Sequence, residues 1–436
     1  MKIFILIALA FCLASGINSQ NLYFPPLLGN SWDTISPVTL GWCPDEVDTL
    51  VNYLEDNSTK AFILLKDGKI AIEKYFGNFT QDSLWYWASA GKSLTAFITG
   101  VAQQENYFSI HDPTSQYLGQ GWTNCTFSQE EEITILNQLT MTTGLDDNVL
   151  NPFCTLDTCL NCIADAGTRW AYHNAPYTLL GNVIENATGK TMNGYFLQKI
   201  GVPTGMAGAY FPIGYNNIFL STPRIMARFG LLVLNNGNWS GNQIMTDMTY
   251  FNQMVNTSQT FNESYGYLWW LNGSSSYMLP ASQFVFPGSL TPNAPADMIS
   301  AVGKNGQIIN VVPSKNLVLV RMGNSPDTSP VPVNFIDTIW QKLNDVICDT
   351  ASIASFNHNT KFKIHPNPSF NFTTIILENQ HFDLTVNDIT GRVVYQKQGC
   401  FNKTTFQTQH YPKGIYIVHA KSAMGKLMNR KLIIAK

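Results

Sequence analysis

Charged side chains are scarce in this sequence. They make up 13% of its 436 residues, whereas hydrophobic side chains make up 45%. That balance excludes an intrinsically disordered chain, because such chains combine low hydrophobicity with high charge. Long apolar runs are also missing beyond the N-terminal segment, so we expect no transmembrane helix in the mature chain. The length allows one large domain and a smaller one.

The N-terminal segment holds the one long apolar stretch. Lys2 precedes the run IFILIALAFCLA, and the small and polar residues SGINSQ follow it. A positive charge, a short hydrophobic run and small residues at its end are typical of a removable signal peptide. Residues 1–20 are therefore predicted to be a signal peptide, and the mature protein is predicted to be exported.

Acidic residues are rare at the other end of the chain. Residues 356–436 contain eleven Lys and Arg residues against three acidic ones, a net charge of +8. The chain between the signal peptide and this tail has a net charge of −12. Such an asymmetry predicts a domain boundary, with a body over residues 21–350 and a separate tail over residues 356–436. An acidic body also argues against a nucleic-acid partner.

Metal-binding patterns are missing as well. Cys159 and Cys162 form a single C-x-x-C, with no second pair and no closely spaced histidines to complete a zinc site. No metal or organic cofactor is therefore predicted. Seven cysteines remain after the signal peptide, and in an exported chain they indicate disulfide bonds. Six lie in the acidic body, which permits three bridges, and Cys400 lies alone in the tail.

A serine and a lysine lie at the start of a predicted helix. In WYWASAGKSLTAFITGVAQQEN, residues 85–106, apolar residues recur with helical spacing after Ser89. The i, i+3 spacing puts Ser89 and Lys92 on one face of the first turn. A lysine in a poorly hydrated site can lose its proton and act as the base for a serine, while N–H groups at the helix start can stabilise an oxyanion. Ser89 is therefore the predicted nucleophile.

Two later segments carry the other polar residues of a candidate site. The segment WAYHNAPYTLLG, residues 170–181, contains Tyr172 and Asn174. The segment GKNGQ, residues 303–307, leads into a strand, a turn and a second strand. An S-x-N sequence that begins at Ser240 is an alternative second motif, but its Gly- and Asn-rich surroundings favour a solvated loop.

The three segments resemble the S-x-x-K, Y-x-N and K-T-G motifs of class C β-lactamases, related esterases and D-amino-acid peptidases, and the likeness extends from about residue 45 to residue 348. The resemblance implies that Tyr172 shares proton transfer with Lys92, and that Asn174 holds Lys92 and the substrate carbonyl. It also implies that the third segment binds the substrate and the oxyanion, with an N–H donor in Gln307. The residues of this third segment are Lys304, Asn305, Gly306 and Gln307.

The resemblance implies an α/β (α+β) fold of the β-lactamase and penicillin-binding-protein transpeptidase type. An antiparallel sheet flanked by helices would combine the hairpin at residues 62–76 with strands after residue 301, and residues 85–250 would be mostly helical. The site would lie between these parts. Cysteine connectivity stays open from sequence alone. The bridges that we predict on this fold are Cys43–Cys348, Cys154–Cys159 and Cys125–Cys162.

The tail consists of short β-rich runs separated by Pro, Gly and Asn turns, which is typical of a small all-β sandwich. Its Pro366-Asn367-Pro368 entry, its DITGR turn from Asp388 and its strand from Gly414 resemble the C-terminal sorting domain of type IX secretion. This resemblance implies a secreted or cell-surface protein that engages the type IX secretion machinery.

Three functions compete. The first is an exported serine hydrolase that cleaves ester or amide bonds of small acyl compounds. It is favoured because Asn305 replaces the threonine whose hydroxyl helps to bind a β-lactam carboxylate. The alternative is a β-lactamase or D-alanyl-D-alanine carboxypeptidase-type peptidase. An inactive surface-binding protein is the third, and the intact Ser89, Lys92 and Tyr172 argue against it.

Overall fold

A computed structural model describes residues 22–327, 329, 331–348, 362–422 and 427–435. The predicted signal peptide and the predicted domain boundary near residues 350–356 lie outside the described residues. The chain divides into two compact units, Met1–Asp349 and Thr350–Lys436.

The first unit contains helices and short strands in alternation. Its helices are α1 (Pro44–Asp56), α2 (Gly91–Gln104), α3 (Ser115–Leu118), α4 (Phe127–Glu132), α5 (Ile135–Thr140), α6 (Asn174–Thr188), α7 (Met192–Phe196), α8 (Val202–Thr204), α9 (Pro223–Leu234), α10 (Met248–Met254) and α11 (Val333–Ile347). Its strands are β1 (Thr59–Lys66), β2 (Lys69–Tyr75), β3 (Trp85–Tyr86), β4 (Gly208–Ile213), β5 (Asn216–Ser221), β6 (Asn238–Trp239), β7 (Asn242–Gln243), β8 (Trp270–Leu271), β9 (Ser276–Tyr277), β10 (Phe286–Pro287), β11 (Ile299–Gly303), β12 (Gln307–Val312) and β13 (Leu317–Gly323).

A six-stranded antiparallel sheet forms the centre of this unit, in the order β2-β1-β13-β12-β11-β8. Asp67 and Gly68 join β1 to β2 with positive φ angles of 51° and 81°, as a two-residue hairpin turn requires. Every residue of β12 and β13 is buried, so both faces of the sheet are covered. The predicted antiparallel sheet flanked by helices is thus confirmed.

Neighbouring residues of β12 show which helix covers each face. Gly230 of α9 lies against Ile309, and a Cβ at Gly230 would approach Val318 to 2.4 Å, so only glycine allows this close contact. The next residue, Asn310, points to the opposite face because side chains alternate along a strand. Its Oδ1 accepts a hydrogen bond from Nε1 of Trp340 in α11, at 3.0 Å. Helices α9 and α11 therefore cover opposite faces.

The middle of the chain is less helical than predicted. Besides α2 to α10, it contains a three-stranded sheet in the order β3-β5-β4. The β4–β5 hairpin turns at Gly214, whose φ is +60°, and in β5 the buried Phe219 and Ser221 alternate with the partly exposed Ile218 and Leu220. The prediction that residues 85–250 are mostly helical did not take this strand pattern into account.

Three disulfide bonds cross-link this unit, with the same pairing as predicted. Cys43 before α1 joins Cys348 after α11, with Cα atoms 5.9 Å apart. The other two bonds lie near the loop before α6 and join Cys125 to Cys162 and Cys154 to Cys159. Among the described residues Cys400 is a free, buried cysteine.

The regular elements in the described part of the second unit are all strands: β14 (Phe362–His365), β15 (Phe372–Asp388), β16 (Val393–Gln407), β17 (Gly414–Ser422) and β18 (Leu427–Ile434). They pair antiparallel around a small apolar core that includes Ile375, Leu384 and Val418. The predicted β-rich tail is thus confirmed. No helix within the described parts of the chain is long and apolar enough to cross a membrane.

Candidate active site

Ser89 lies in a 3-10 turn, Ala88–Ala90, that leads directly into α2. Ala88 has a φ of +47°, a strained backbone conformation for a residue with a Cβ. One helical turn later, the Nζ of Lys92 lies 3.0 Å from the Oγ of Ser89 and 2.8 Å from the Oδ1 of Asn174. The structure therefore brings together the predicted serine, lysine and asparagine.

Lys92 is almost completely inaccessible, with 3% of its surface exposed. Burial lowers the pKa of its ammonium to about 7, because a charged amine is poorly solvated there. The rings of Tyr177 and Tyr172 surround its Nζ, with centroids at 4.1 Å and 5.2 Å. A substantial fraction of Lys92 is therefore neutral near pH 7 and able to accept a proton.

Tyr172 lies immediately before α6 and stacks on Trp270, with ring centroids 5.8 Å apart. Burial raises the pKa of its phenol well above the usual value, and a hydrogen bond with the Ser89 side chain partly opposes this rise. Tyr172 is therefore protonated at neutral pH and contacts the candidate nucleophile.

His173 has a different environment from its two neighbours. It is 2% exposed, and neither ring nitrogen has a hydrogen-bond partner in the described residues. Burial lowers the pKa of its imidazole to about 4. It does not line the pocket that contains Ser89.

The third segment meets Ser89 through Gly303, the last residue of β11. A Cβ at Gly303 would lie 2.4 Å from the Trp87 carbonyl oxygen and 3.0 Å from the Ser89 nitrogen. These contacts are with backbone atoms, which cannot move aside as a flexible side chain can. The position therefore requires glycine, and Gly303 holds the end of β11 against the turn that carries Ser89.

The orientation of one peptide bond identifies a second candidate oxyanion donor. The Gly303 carbonyl accepts a hydrogen bond from the Gly306 N–H at 3.1 Å, so this carbonyl points toward the hairpin. In a planar trans peptide the following N–H points the opposite way. The N–H of Lys304 is therefore directed away from β12, toward the edge of β11 at which Gly303 meets Ser89.

Gln307, the predicted donor, lies elsewhere. It pairs with Gly303 inside the hairpin, and its fully buried side chain donates to the Gly323 carbonyl at 2.7 Å. The Gly306 carbonyl accepts from Arg321 at 2.9 Å. Neither Gly306 nor Gln307 lines the pocket. The assignment of both residues to the substrate site is corrected, because they form the base of the turn while its tip faces the pocket.

Lys304 and Asn305 form that tip, and both line the pocket. Asn305 has a φ of +64°, and its Nδ2 donates to the hydroxyl of Tyr86 at 2.7 Å. The rival motif at Ser240 lies in the exposed turn between β6 and β7 and does not line the pocket.

Ser89 opens into a cavity of about 790 Å³. This volume falls in the range of sites for small organic ligands. Residues that the sequence analysis did not assign form much of its wall, among them Tyr86, Pro152, Phe153, Tyr177, Asn216, Asn217, Ile218, Pro280, Ala281, Asp327 and Val331. Tyr177 and Tyr86 could have been found, since Tyr177 lies at the start of the same helix as Asn174 and Tyr86 lies three residues before Ser89. The others come from strands and loops distant from these motifs in the sequence.

A central antiparallel sheet, a second part that combines helices with a small sheet, and a Ser–Lys pair whose lysine is buried define the class of β-lactamase- and penicillin-binding-protein-like hydrolases. The Beta-lactamase family model matches residues 51–336. The chain belongs to the Beta-lactamase family. A second model, the secretion system C-terminal sorting domain, matches residues 363–435. The protein is therefore secreted or located at the cell surface through a type IX sorting tail.

Known relatives are distant in sequence. An uncharacterized protein of Alkalihalophilus pseudofirmus is 24% identical over 332 residues, which cover 67% of this chain and 91% of the relative. A candidate 6-aminohexanoate-dimer hydrolase from Bacillus anthracis superposes with a TM-score of 0.54 at 20% identity, over 69% of this chain and 82% of the other. A beta-lactamase/D-alanine carboxypeptidase from Yersinia pestis gives a TM-score of 0.52 at 17% identity, over 69% and 98%. These structures are similar in fold.

Proposed function

We propose that this protein is an exported serine hydrolase that cleaves ester or amide bonds of small acyl compounds through an acyl-enzyme on Ser89. One observation carries the proposal: Lys92 has a pKa of about 7 and lies 3.0 Å from the Ser89 hydroxyl. A serine needs such a base to attack a carbonyl carbon.

The remaining residues supply the other steps of acyl transfer. Neutral Lys92 accepts the Ser89 proton as the hydroxyl attacks, and Tyr172, protonated at neutral pH, donates a proton to the leaving group. The N–H groups of Ser89 and Lys304 stabilise the oxyanion, and Asn174 holds Lys92 in place. Water then attacks the acyl-enzyme: the Tyr172 phenolate accepts a proton from the water, and the Lys92 ammonium returns its proton to the departing Ser89 oxygen.

We expect kcat/KM to rise with pH in a single transition, the ascending limb of the pH profile, centred near pH 7. Because burial lowers the Lys92 pKa to about 7, the ammonium form predominates below this pH and cannot act as a base. Below pH 6, kcat/KM for a nitrophenyl ester should fall roughly tenfold per pH unit. The measurement is a pH profile of kcat/KM between pH 5 and 9.

His173→Gln is the control for this profile. The His173 pKa is about 4, so its loss should leave the limb at its original pH. A limb that disappears with His173 would assign the titration to the histidine and contradict the role of Lys92.

Short esters are expected to be better substrates than β-lactams. The Asn305 amide is engaged with Tyr86, and no hydroxyl occupies the tip of the turn to hold a β-lactam carboxylate. We expect kcat/KM for nitrophenyl acetate or butyrate to exceed that for nitrocefin by at least about tenfold, one hydrogen bond to a charged group being worth that much.

One observation favours the alternative, a β-lactamase or D-alanyl-D-alanine carboxypeptidase-type peptidase. Lys304 places an ammonium group in the pocket wall, where it could attract a substrate carboxylate. A higher kcat/KM for nitrocefin or for D-alanyl peptides than for both esters would favour this alternative.

A further inference from the structure

Three segments without any charged residue or histidine border the pocket. They are residues 148–156, 200–223 and 264–296, in a body whose net charge is −12. Each contributes to the pocket wall, through Phe153, Ile218 and Ala281 respectively. Charge is therefore absent from three parts of the wall that come from distant places in the sequence.

Large apolar side chains project from these segments into solvent. They are between 49% and 108% exposed, and we call them the apolar rim. The apolar rim consists of Leu150, Leu156, Phe211, Ile213, Phe284 and Val285.

The strand register places part of the rim directly beside the pocket. Across the β4–β5 hairpin, Phe211 pairs with Ile218 and Ile213 pairs with Asn216. Both partners line the pocket, and paired residues of neighbouring strands lie about 5 Å apart. The exposed side chains of Phe211 and Ile213 in β4 therefore adjoin residues of the pocket wall.

The third segment is fixed against the residues that hold the catalytic centre. Gln283 donates to the Trp170 carbonyl at 3.0 Å, two residues before Tyr172. Beside it, the ring of Phe284 packs edge-on against Phe286, with centroids 4.7 Å apart. The exposed Phe284 ring is thus held in position three residues from Ala281 of the pocket wall.

Clustered exposed apolar side chains mark interaction surfaces, because monomeric proteins seldom leave large apolar patches in water. The rim residues belong to three segments that border the pocket of Ser89, so we expect a surface that they contact to be presented to the nucleophile. An uncharged surface offers no partner for ionic groups, and the −12 charge of the body repels anionic surfaces. The occupant that fits is apolar and carries no net charge.

We propose that the apolar rim docks this enzyme onto aggregates of uncharged or zwitterionic ester lipids, from which one ester enters the pocket. The inference rests on the proposed function and narrows its substrate class to esters with long apolar chains. The cavity of about 790 Å³ has room for the ester and the adjoining part of such a chain.

A rim variant of the full chain tests the docking. Phe211→Ser with Phe284→Ser removes two exposed rings, and Phe127→Ser with Val38→Ser is the matched control. The control residues are 55% and 68% exposed and belong to none of the three segments. We expect the rim variant to lower the ratio of activity on micellar nitrophenyl laurate to activity on dissolved nitrophenyl acetate by about tenfold or more, and the control to leave it unchanged. An unchanged ratio in the rim variant, or an equal drop in the control, would overturn the proposal.

Binding without hydrolysis separates docking from the proposed function. The Ser89→Ala full chain should sediment with phosphatidylcholine vesicles and lose this binding when the two rim substitutions are added. No binding to these vesicles would contradict docking even if esters are hydrolysed, whereas binding by a protein without ester hydrolysis would contradict the proposed function alone. Analytical ultracentrifugation that shows a dimer dissociated by the rim substitutions would instead make the rim a contact between copies and overturn the proposal.

Discussion

Replacing Ser89 with alanine is expected to lower kcat/KM for ester hydrolysis by roughly 10⁴-fold or more. The Ser89 hydroxyl lies 3.0 Å from the Nζ of Lys92, the base that removes its proton, and it is the group expected to form the acyl-enzyme. A fluorophosphonate probe should label the wild-type protein at Ser89 and leave the variant unlabelled. Intact-mass measurement and peptide mapping identify the labelled residue.

Ser240→Ala is the matched control, because Ser240 begins the rival S-x-N sequence and lies in an exposed turn. It should keep both labelling and turnover. Labelling at Ser240 or at the buried Ser93, or full turnover by Ser89→Ala, would show that the nucleophile has been assigned to the wrong serine.

A second large effect is expected at Lys304, through its backbone rather than its side chain. Lys304→Pro removes the N–H that points toward the Ser89 side of β11, and loss of one oxyanion donor lowers kcat by roughly 10²–10³-fold. Proline suits this position, since Lys304 is the second residue of a turn whose third residue, Asn305, has a φ of +64°. Steady-state kinetics with nitrophenyl acetate measure the change.

Lys304→Ala distinguishes the contribution of the side chain from that of the backbone, because it removes the ammonium group and keeps the N–H. Its kcat for a neutral ester should stay within a few fold of wild type, and thermal unfolding should show that both variants are folded. Equal kcat losses in the two variants would assign the effect to the side chain. A fully active, folded Lys304→Pro would exclude the N–H as an oxyanion donor.

The first half of this site could be predicted from sequence because its geometry is local. Ser89 and Lys92 are one helical turn apart, so fixed spacing brings them to one side, whereas the roles of Tyr172 and Asn174 followed from the resemblance of their segment to the Y-x-N motif. The fold class and the sorting tail were predicted from motifs of the same kind, and the family comparisons confirm both.

The residues of the third segment that face Ser89 could not be identified from the sequence, because they depend on the three-dimensional arrangement of β11 and the turn before α2. Two glycines, Gly303 and Gly306, flank the same turn, and the K-N-G sequence favoured Gly306. The structure places Gly303 against the Ser89 nitrogen and Gly306 beside Arg321. This choice depends on where the end of β11 meets the turn before α2, which no spacing within residues 303–307 encodes.

Most residues that line the pocket could not be predicted from the sequence either, because they come from segments that are distant in the sequence and meet only in the folded chain. Phe153, Ile218 and Ala281 are separated by more than sixty residues and share no motif. The sequence does show that their three segments contain no charged residues. That these segments border the same pocket is visible only in the structure.

The bond between Cys43 and Cys348 has a consequence for survival outside the cell. It closes nearly the whole hydrolase unit into a covalent ring, with a sequence separation of 305 residues. A protease that cuts one exposed loop within this ring opens it without releasing a fragment. The two pieces stay attached, so a nicked molecule migrates as one species until a reductant is added. Outside the cell, a first cleavage within this ring therefore breaks the backbone without separating the two pieces.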